Sequence, residues 1–317
     1  MSQKSCNEIV TVLQDRYDVG VSYVNNSEDL EALADKKPDL AFMGVKFVHD
    51  QYGRKIWVST FLEARGIAHT GSSAAAAALE QDKSLSKQQI INSGLNTPRY
   101  LLLKKGEPAQ TDSLRLSFPL FIKPSSLGGG AGVDDKSIVH NFKDLTRKIE
   151  QLNSVYNSDI LVEEYLPGRE FSVAVLKNEF SGKLQGMPIE MLPEADVNGD
   201  RILSLALKSG SLETPVAAVV DEELREGLIV FALKIFESLG ARDYGRIDMR
   251  MDEFGVLNFI EANLIPSLIN GSGNFPKACE INLGLPHDEM LFRIVQLGLS
   301  RNSFTKFDLF ATRIRTV

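Results

Sequence analysis

Apolar residues return every three or four positions through the stretch from Asp221 to Leu239, where Leu224, Leu228, Phe231, Ile235 and Leu239 form one stripe and Gly240 follows. That spacing predicts an amphipathic helix on a core, stopped by glycine. A helix is also expected from Asn141 to Leu152, and another from Pro286 through Met290, Ile294 and Leu297. The period drops to two, or the run turns wholly apolar, in Phe118–Pro124, Asp159–Tyr165, Glu170–Leu176, Arg246–Met251 and Leu257–Asn263, which predicts strands. Towards the amino terminus, strands expected at Val19–Val24 and Asp39–Gly44 alternate with helices around Ile9–Leu13, Glu28–Ala34 and Ile56–Ala64. Such alternation suggests a parallel sheet, and the chain as a whole reads as α/β. Ser73 is placed to cap an alanine-rich helix that Gly94 ends.

Asp252-Glu253-Phe254-Gly255 joins two of the strands and predicts a hairpin. Folding it between Phe254 and Gly255 sets Asp248 opposite Glu261 and Arg246 opposite Asn263. Residues two apart share a strand face, so all four point the same way. Facing carboxylates repel. Either this is a solvated acidic face, or something positive lies between them. Oxygen ligands from Asp, Glu and Asn suit Mg²⁺, which takes its other ligands from phosphate and water.

A glycine-rich run, Gly128-Gly129-Gly130-Ala131-Gly132, follows the strand that carries Lys123. It reads as a linker or as a loop bringing backbone N–H groups to phosphate. The spacing fits neither a P-loop nor a Rossmann fingerprint. A lysine in an apolar strand calls for an anion. Lys83, near a helix start, is a second candidate cation. Glu163 and Glu170 flank the Pro167-Gly168 turn, a hinge that could offer backbone groups to a purine edge and a carboxylate to a ribose.

Composition narrows the classes. The 317 residues carry a net charge of −7, which argues against general nucleic-acid binding. No apolar run approaches a membrane span of about 20 residues. Two distant cysteines, Cys6 and Cys279, form no disulfide framework or zinc motif, and a reducing cytoplasm is the expected home.

Together these segments resemble the ATP-grasp enzymes and, among them, the D-alanine–D-alanine ligase family. The resemblance is carried in order by His69-Thr70-Gly71-Ser72, Asp82-Lys83, Phe118-Pro119-Leu120-Phe121-Ile122-Lys123-Pro124, Val162 through Phe171, Gly245-Arg246-Ile247-Asp248 and Ile260-Glu261-Ala262-Asn263. It implies an ATP-grasp fold with a small α/β domain over 1–73, a central subdomain over 74–164 and a carboxy-terminal subdomain over 165–317. It also implies ATP with a pair of Mg²⁺ ions, Mn²⁺ being an acceptable substitute. Lys83 and Lys123 would hold the phosphates, with Gly128, Gly129 and Gly130 closing over them. Glu163 and Leu166 would meet the adenine edge through the backbone, with Glu164 and Tyr165 between them, and Glu170 would hold the ribose. Asp248, Glu261 and Asn263 would ligate the metals. Arg246 would stabilise an oxyanion, aided by a backbone N–H near Ser267, and Ser272 would bind an acceptor carboxylate. The reaction implied is carboxylate–amine ligation through an acylphosphate. A homodimer is compatible with the resemblance; no nucleic acid or membrane partner is expected.

The departures touch the amino-acid side. An opening segment with a Gly-rich turn and an amine-binding acid is not found before the first helix. The family's H-G-x-x-G-E-D-G stretch is replaced by the more basic Gly44–Arg54, and its Lys-Tyr loop by Lys208-Ser209-Gly210-Ser211. Lys46, Arg54 and Lys208 are therefore candidates to grip an additional acidic group. The expected substrates are amino acids or small peptides other than two D-alanines. The alternatives are an authentic D-alanine–D-alanine ligase of cell-wall synthesis and a catalytically inactive nucleotide-binding protein.

Overall fold

The computed structural model describes residues 3–110, 114–192 and 216–314, with the backbone alone beyond Arg301. In chain order the elements are α1 (Gln3–Leu13), α2 (Ser27–Asp35), β1 (Leu40–Ala41), β2 (Phe47–His49), β3 (Lys55–Trp57), α3 (Val58–Glu63) and β4 (Ala68–His69). Next come α4 (Ala74–Gln81), α5 (Lys83–Asn92), β5 (Tyr100–Leu103), β6 (Leu120–Pro124), β7 (Ile138–Val139), α6 (Phe142–Val155) and β8 (Ile160–Glu164). The chain continues through β9 (Glu170–Lys177), β10 (Leu184–Met191), β11 (Val216–Ala218), α7 (Glu222–Ser238), β12 (Tyr244–Met251) and β13 (Leu257–Asn263). It closes on α8 (Asn274–Leu283) and α9 (His287–Ile314).

Two antiparallel sheets carry the architecture: one of order β5-β8-β6-β7 and a larger one of order β11-β10-β9-β12-β13. The larger sheet is buried on both faces. Phe171, Val173, Val175, Ile247, Met249 and Phe259 pack under α7 with Leu228, Ile235 and Phe236. Ala174, Leu176, Met187 and Tyr244 on the other face meet Phe275, Met290 and Ile294 of α8 and α9, and Ile9 and Leu13 of α1. The smaller sheet covers its apolar face (Leu120, Ile122, Ile160, Val162) with Leu145, Ile149 and Leu152 of α6. Strand alternation leaves Lys123 and Glu163 on its opposite face.

The helix stripe behaves as its spacing requires: Leu228, Ile235 and Leu239 are buried, and Gly240 takes a φ of +64° just past α7. Ser73 caps α4 by accepting from the Ala76 amide. The alanine-rich segment differs from one continuous helix: it breaks at Asp82, whose side chain caps α5. The amino-terminal unit is sparser than expected. Val19–Val24 is no strand, the helix expected over Ile56–Ala64 is present as α3 but starts two residues later because Ile56 and Trp57 belong to β3, and among the described residues the parallel pairing is β1 with β4 alone. A strand needs a neighbour to complete its hydrogen bonds, and Val19–Val24 has none in a described sheet.

Both cysteines are free. Cys279 lies buried under the large sheet, and burial pushes its thiol up to about 12. Cys6 on α1 is half-buried. A thiol reagent at neutral pH should therefore modify one cysteine in the native protein and both in guanidinium, because the thiolate is the reactive form. Two rapid native reactions would contradict this burial.

Candidate active site

The hairpin β12–β13 is joined by a tight turn in which Asp252 accepts from the Phe254 and Val256 amides and Gly255 has a φ of +81°. Near the turn the register pairs Met251 with Leu257 and Met249 with Phe259, centred on Phe254. An irregularity after Asp248 then shifts it, and Asp248 faces Glu261 while Arg246 faces Asn263. Ile260 is the extra residue. Phe259 and Ala262 both face the core, three apart, which an unbroken strand forbids. The bulge puts Ile260 and Glu261 on the cleft side instead. The expected facing pairs are present, and an inserted residue makes them so.

On β12 the cleft face reads Arg246, Asp248, Arg250; beside it β9 presents Ala174, Ser172 and Glu170 in register. Arg246 grips Asp248 through both ends: Nε donates to Oδ1 at 2.9 Å and Nη2 to Oδ2 at 2.8 Å. Ser172 adds a hydroxyl bond to Asp248 Oδ1 at 2.6 Å. Burial works against the Arg246 charge, but Asp248 outweighs it, with Glu261 and Glu80 adding to the pull, and the guanidinium pKa rises. Glu261 lies 3.7 Å from the Lys83 ammonium. The charge between the opposed carboxylates is thus an arginine and a lysine supplied by the chain itself. Arg250 lies against Tyr165, donating to its hydroxyl at 3.0 Å, and pairs with Glu170 at 3.4 Å.

Across the cleft, Lys123 on β6 and Glu163 on β8 form an ion pair at 2.8 Å. The anion required by a lysine in an apolar strand is therefore Glu163. Its other oxygen is 2.7 Å from Lys87 of α5, which is wholly buried. Burial alone would raise the Glu163 pKa; Lys123 and Lys87 together hold it below the ordinary carboxylate value. Lys83, the first residue of α5, donates to the Leu127 carbonyl at the start of the glycine loop. At Gly132 an added Cβ would stand 2.7 Å from Pro124, so the loop's far end is pressed onto β6. Gly168 is equally constrained, its Cβ position being 2.6 Å from the Met251 carbonyl. The hinge therefore rests directly on the hairpin. Together these residues line a cleft of about 110 Å³ between the two sheets.

Residues 90–296 match the family described as D-ala D-ala ligase C-terminus. The chain belongs to this ligase family. A D-alanine–D-alanine ligase of Desulfotalea psychrophila is 27% identical over 288 residues, spanning 90% of this chain and 87% of that protein. An uncharacterized protein, y4sG, of Sinorhizobium fredii is 30% identical over 213 residues, 67% of this chain and 61% of its own length. The crystal structure of the Bacillus anthracis D-alanine–D-alanine ligase complexed with ATP superposes with a TM-score of 0.75 at 25% identity, covering 95% of this chain and 93% of that one. The fold is ATP-grasp, and the enzymes of this family are ATP- and Mg²⁺-dependent ligases that form carbon–nitrogen bonds.

In this ligase the predicted residues Lys83, Lys123, Gly130, Glu163, Glu164, Tyr165, Leu166, Glu170, Arg246, Asp248 and Glu261 line one cleft. Gly128 and Gly129 are exposed on the loop above, and Asn263 is half-buried opposite Arg246. Glu163 sits between β5 and β6 with its backbone in the sheet, so it reaches the cleft by its carboxylate. Ser272 and Ser267 lie exposed, outside the lining of this cleft. Lys208 and its loop fall outside the described residues. Lys46 is 2.5 Å from the buried Glu80, and Arg54 is engaged by Asp50, so neither stands as an uncommitted cation.

Sequence reasoning missed Ser172, Arg250 and Lys87. Each carried a signal: Ser172 lies two beyond Glu170, Arg250 two beyond Asp248, and Lys87 one helical turn beyond Lys83. No three His, Cys, Asp or Glu side chains among the described residues gather as a metal cluster. Two carboxylates and an amide oxygen beside a cleft lined by Lys83, Lys123 and Arg246 nevertheless fit Mg²⁺ bound jointly with phosphate, since that ion keeps few protein ligands.

Proposed function

We propose that the protein joins a carboxylate to an amine on amino acids or small peptides. The carboxylate oxygen bonds to the γ-phosphorus of ATP as the β–γ bridge breaks, giving an acylphosphate and ADP. The amine then bonds to the acyl carbon, phosphate departs with the electron pair of the cleaved C–O bond, and the amine proton passes to solvent. The observation that carries this reading is the arrangement of Lys83, Lys123 and Arg246 around one cleft with Asp248 and Glu261 on its floor.

Lys83 and Lys123 hold the triphosphate, and the glycine loop tied to Lys83 covers it. Leu166 and its neighbours meet the adenine edge; Glu170, steadied by Arg250, takes the ribose. Asp248 and Glu261, with Asn263, hold Mg²⁺, which neutralises phosphate charge when bound. Arg246 has two nitrogens fixed by Asp248, and its remaining one faces the developing oxyanion. Such a pre-oriented charge lowers the barrier because nothing need reorganise during reaction.

A second cavity, about 490 Å³, is lined by Ile9, Val45, Lys46, Phe47, Ile265 and Leu268 among others. It adjoins the hairpin end and is the natural place for the amino-acid substrate. Glu80 already pairs with Lys46 there, so an extra acidic group on the substrate is disfavoured and a small zwitterion is preferred. The names of the relatives keep a D-alanine pair as the competing reading. No helix among the described residues is long and apolar enough to cross a membrane. A cytoplasmic setting fits the two free thiols, and a homodimer rests on the resemblance alone.

The test is ADP release for amino acids offered in pairs, with mass spectrometry of the product. ADP should form only when a carboxylate and an amine substrate are both present, and D-alanine alone should be a poor substrate. Full turnover with D-alanine alone would establish the competing reading; no ADP with any pair would sink both.

A further inference from the structure

Three charged side chains share ion pairs at the cleft wall. Lys123 and Glu163 line the cleft, whereas Lys87 stands behind them with no exposed surface. Glu163 Oε2 is 2.8 Å from Lys123 and Oε1 is 2.7 Å from Lys87. Lys87 also donates to Thr97 Oγ1 at 2.8 Å and to the Phe259 carbonyl at 3.4 Å. It is fully committed to the protein and too deep to touch a ligand.

Its effect must therefore pass through Glu163. A lone Lys123–Glu163 pair would be neutral, and its carboxylate would compete with any phosphate for the Lys123 ammonium. With Lys87 sharing the carboxylate, the trio holds two positive charges and one negative in a dry wall, where each counts for more than in water. We propose that Lys87 is a positioning residue, which by sharing Glu163 leaves Lys123 with positive charge for the phosphates of ATP. This rests on the reading that Lys123 meets those phosphates.

The groups facing Lys87 are Glu163 from β8, Lys123 from β6 and Glu261 from β13. Burial, opposed by Glu163 and reinforced by Lys123, lowers its pKa to about 8. Affinity for ATP should accordingly weaken as the pH rises through that value. A residue that only filled space would produce no such limb.

The experiment measures binding of a non-hydrolysable ATP analogue with Mg²⁺ by calorimetry at neutral and alkaline pH. Lys87→Met leaves the trio neutral and should weaken binding by about tenfold or more, without the alkaline limb. Adding Glu163→Gln restores the single net positive charge, and the double variant should return to within about threefold of wild type. Wild-type affinity in Lys87→Met, or a double variant as weak as the single, overturns the proposal. Should Lys87→Met fail to fold, the double variant is compared with wild type directly, and a tenfold deficit overturns it. Lys123→Met separates the two levels. If it leaves affinity unchanged, the phosphate reading itself fails; if it weakens binding while Lys87→Met does not, only the role of Lys87 fails.

Discussion

Asp248→Asn should reduce ligase turnover by about three orders of magnitude, the scale seen when a single transition-state stabiliser is lost. The carboxylate has three engagements besides its proposed metal: two hydrogen bonds from Arg246 and one from Ser172. Asparagine keeps the shape but has one acceptor oxygen and an N–H₂ group that must face a donor. Arg246 then loses half of its fork and its nearest negative charge, so the oxyanion-facing nitrogen is no longer fixed. The hairpin itself should survive, because Ile247 and Met249 on the reverse face of β12 stay buried. Thermal denaturation should show a loss of about 1–3 kcal/mol, the cost of an impaired buried hydrogen bond. ADP release against Mg²⁺ concentration distinguishes the two duties of Asp248. A metal ligand requires the variant to need much more Mg²⁺, whereas Ser172→Ala should disturb Arg246 only indirectly and cost about tenfold at most. Undiminished turnover in Asp248→Asn would refute the metal assignment.

The facing pairs on the hairpin were legible because a strand's two-residue period is a local property. Arg246 and Asp248 share a face whatever the rest of the chain does. Glu261 was legible for a subtler reason. The turn centres on Phe254, and a regular ladder continued from there would have set Asp248 opposite Ile260. The bulge restores the acidic pair, and its cause is tertiary: Phe259 is held in the core beneath α7 while Glu261 must reach the cleft. Lys123 announced itself as a charge in an apolar strand, but its partner Glu163 comes from another strand, and the pairing of β6 with β8 has no local signature. Lys87 was hidden for the same reason, since a lysine on a helix is normally solvated. The strand expected at Val19–Val24 misled, unlike that at Asp39–Gly44, which holds β1, because an apolar run indicates only that an extended segment is possible. Val19–Val24 meets that condition and finds no ladder in the described sheets.

Glu163→Leu should produce the largest loss of stability of any single change in the cleft, about 3–5 kcal/mol, because it strips the shared anion from two buried lysines. In a protein of this size that corresponds to a fall in melting temperature of roughly 5–8 °C. The cost is capped by proton loss. With Glu163 gone, burial and Lys123 act on Lys87 unopposed by their nearest counter-charge, and its pKa falls further below the wild-type value of about 8. The sign of the pH dependence follows. Where the variant has already shed the Lys87 proton and the wild type has not, the unfolded variant binds one more proton than its folded form, so its stability rises with pH. The wild type gains nothing until its own Lys87 titrates near pH 8. The deficit between the two should therefore narrow as the pH is raised towards 8 and level off above it. Denaturant melts at pH 6, 7, 8 and 9 measure this directly. A deficit that stays constant, or widens with pH, would mean that Glu163 stabilises the fold by something other than its charge on Lys87 and Lys123.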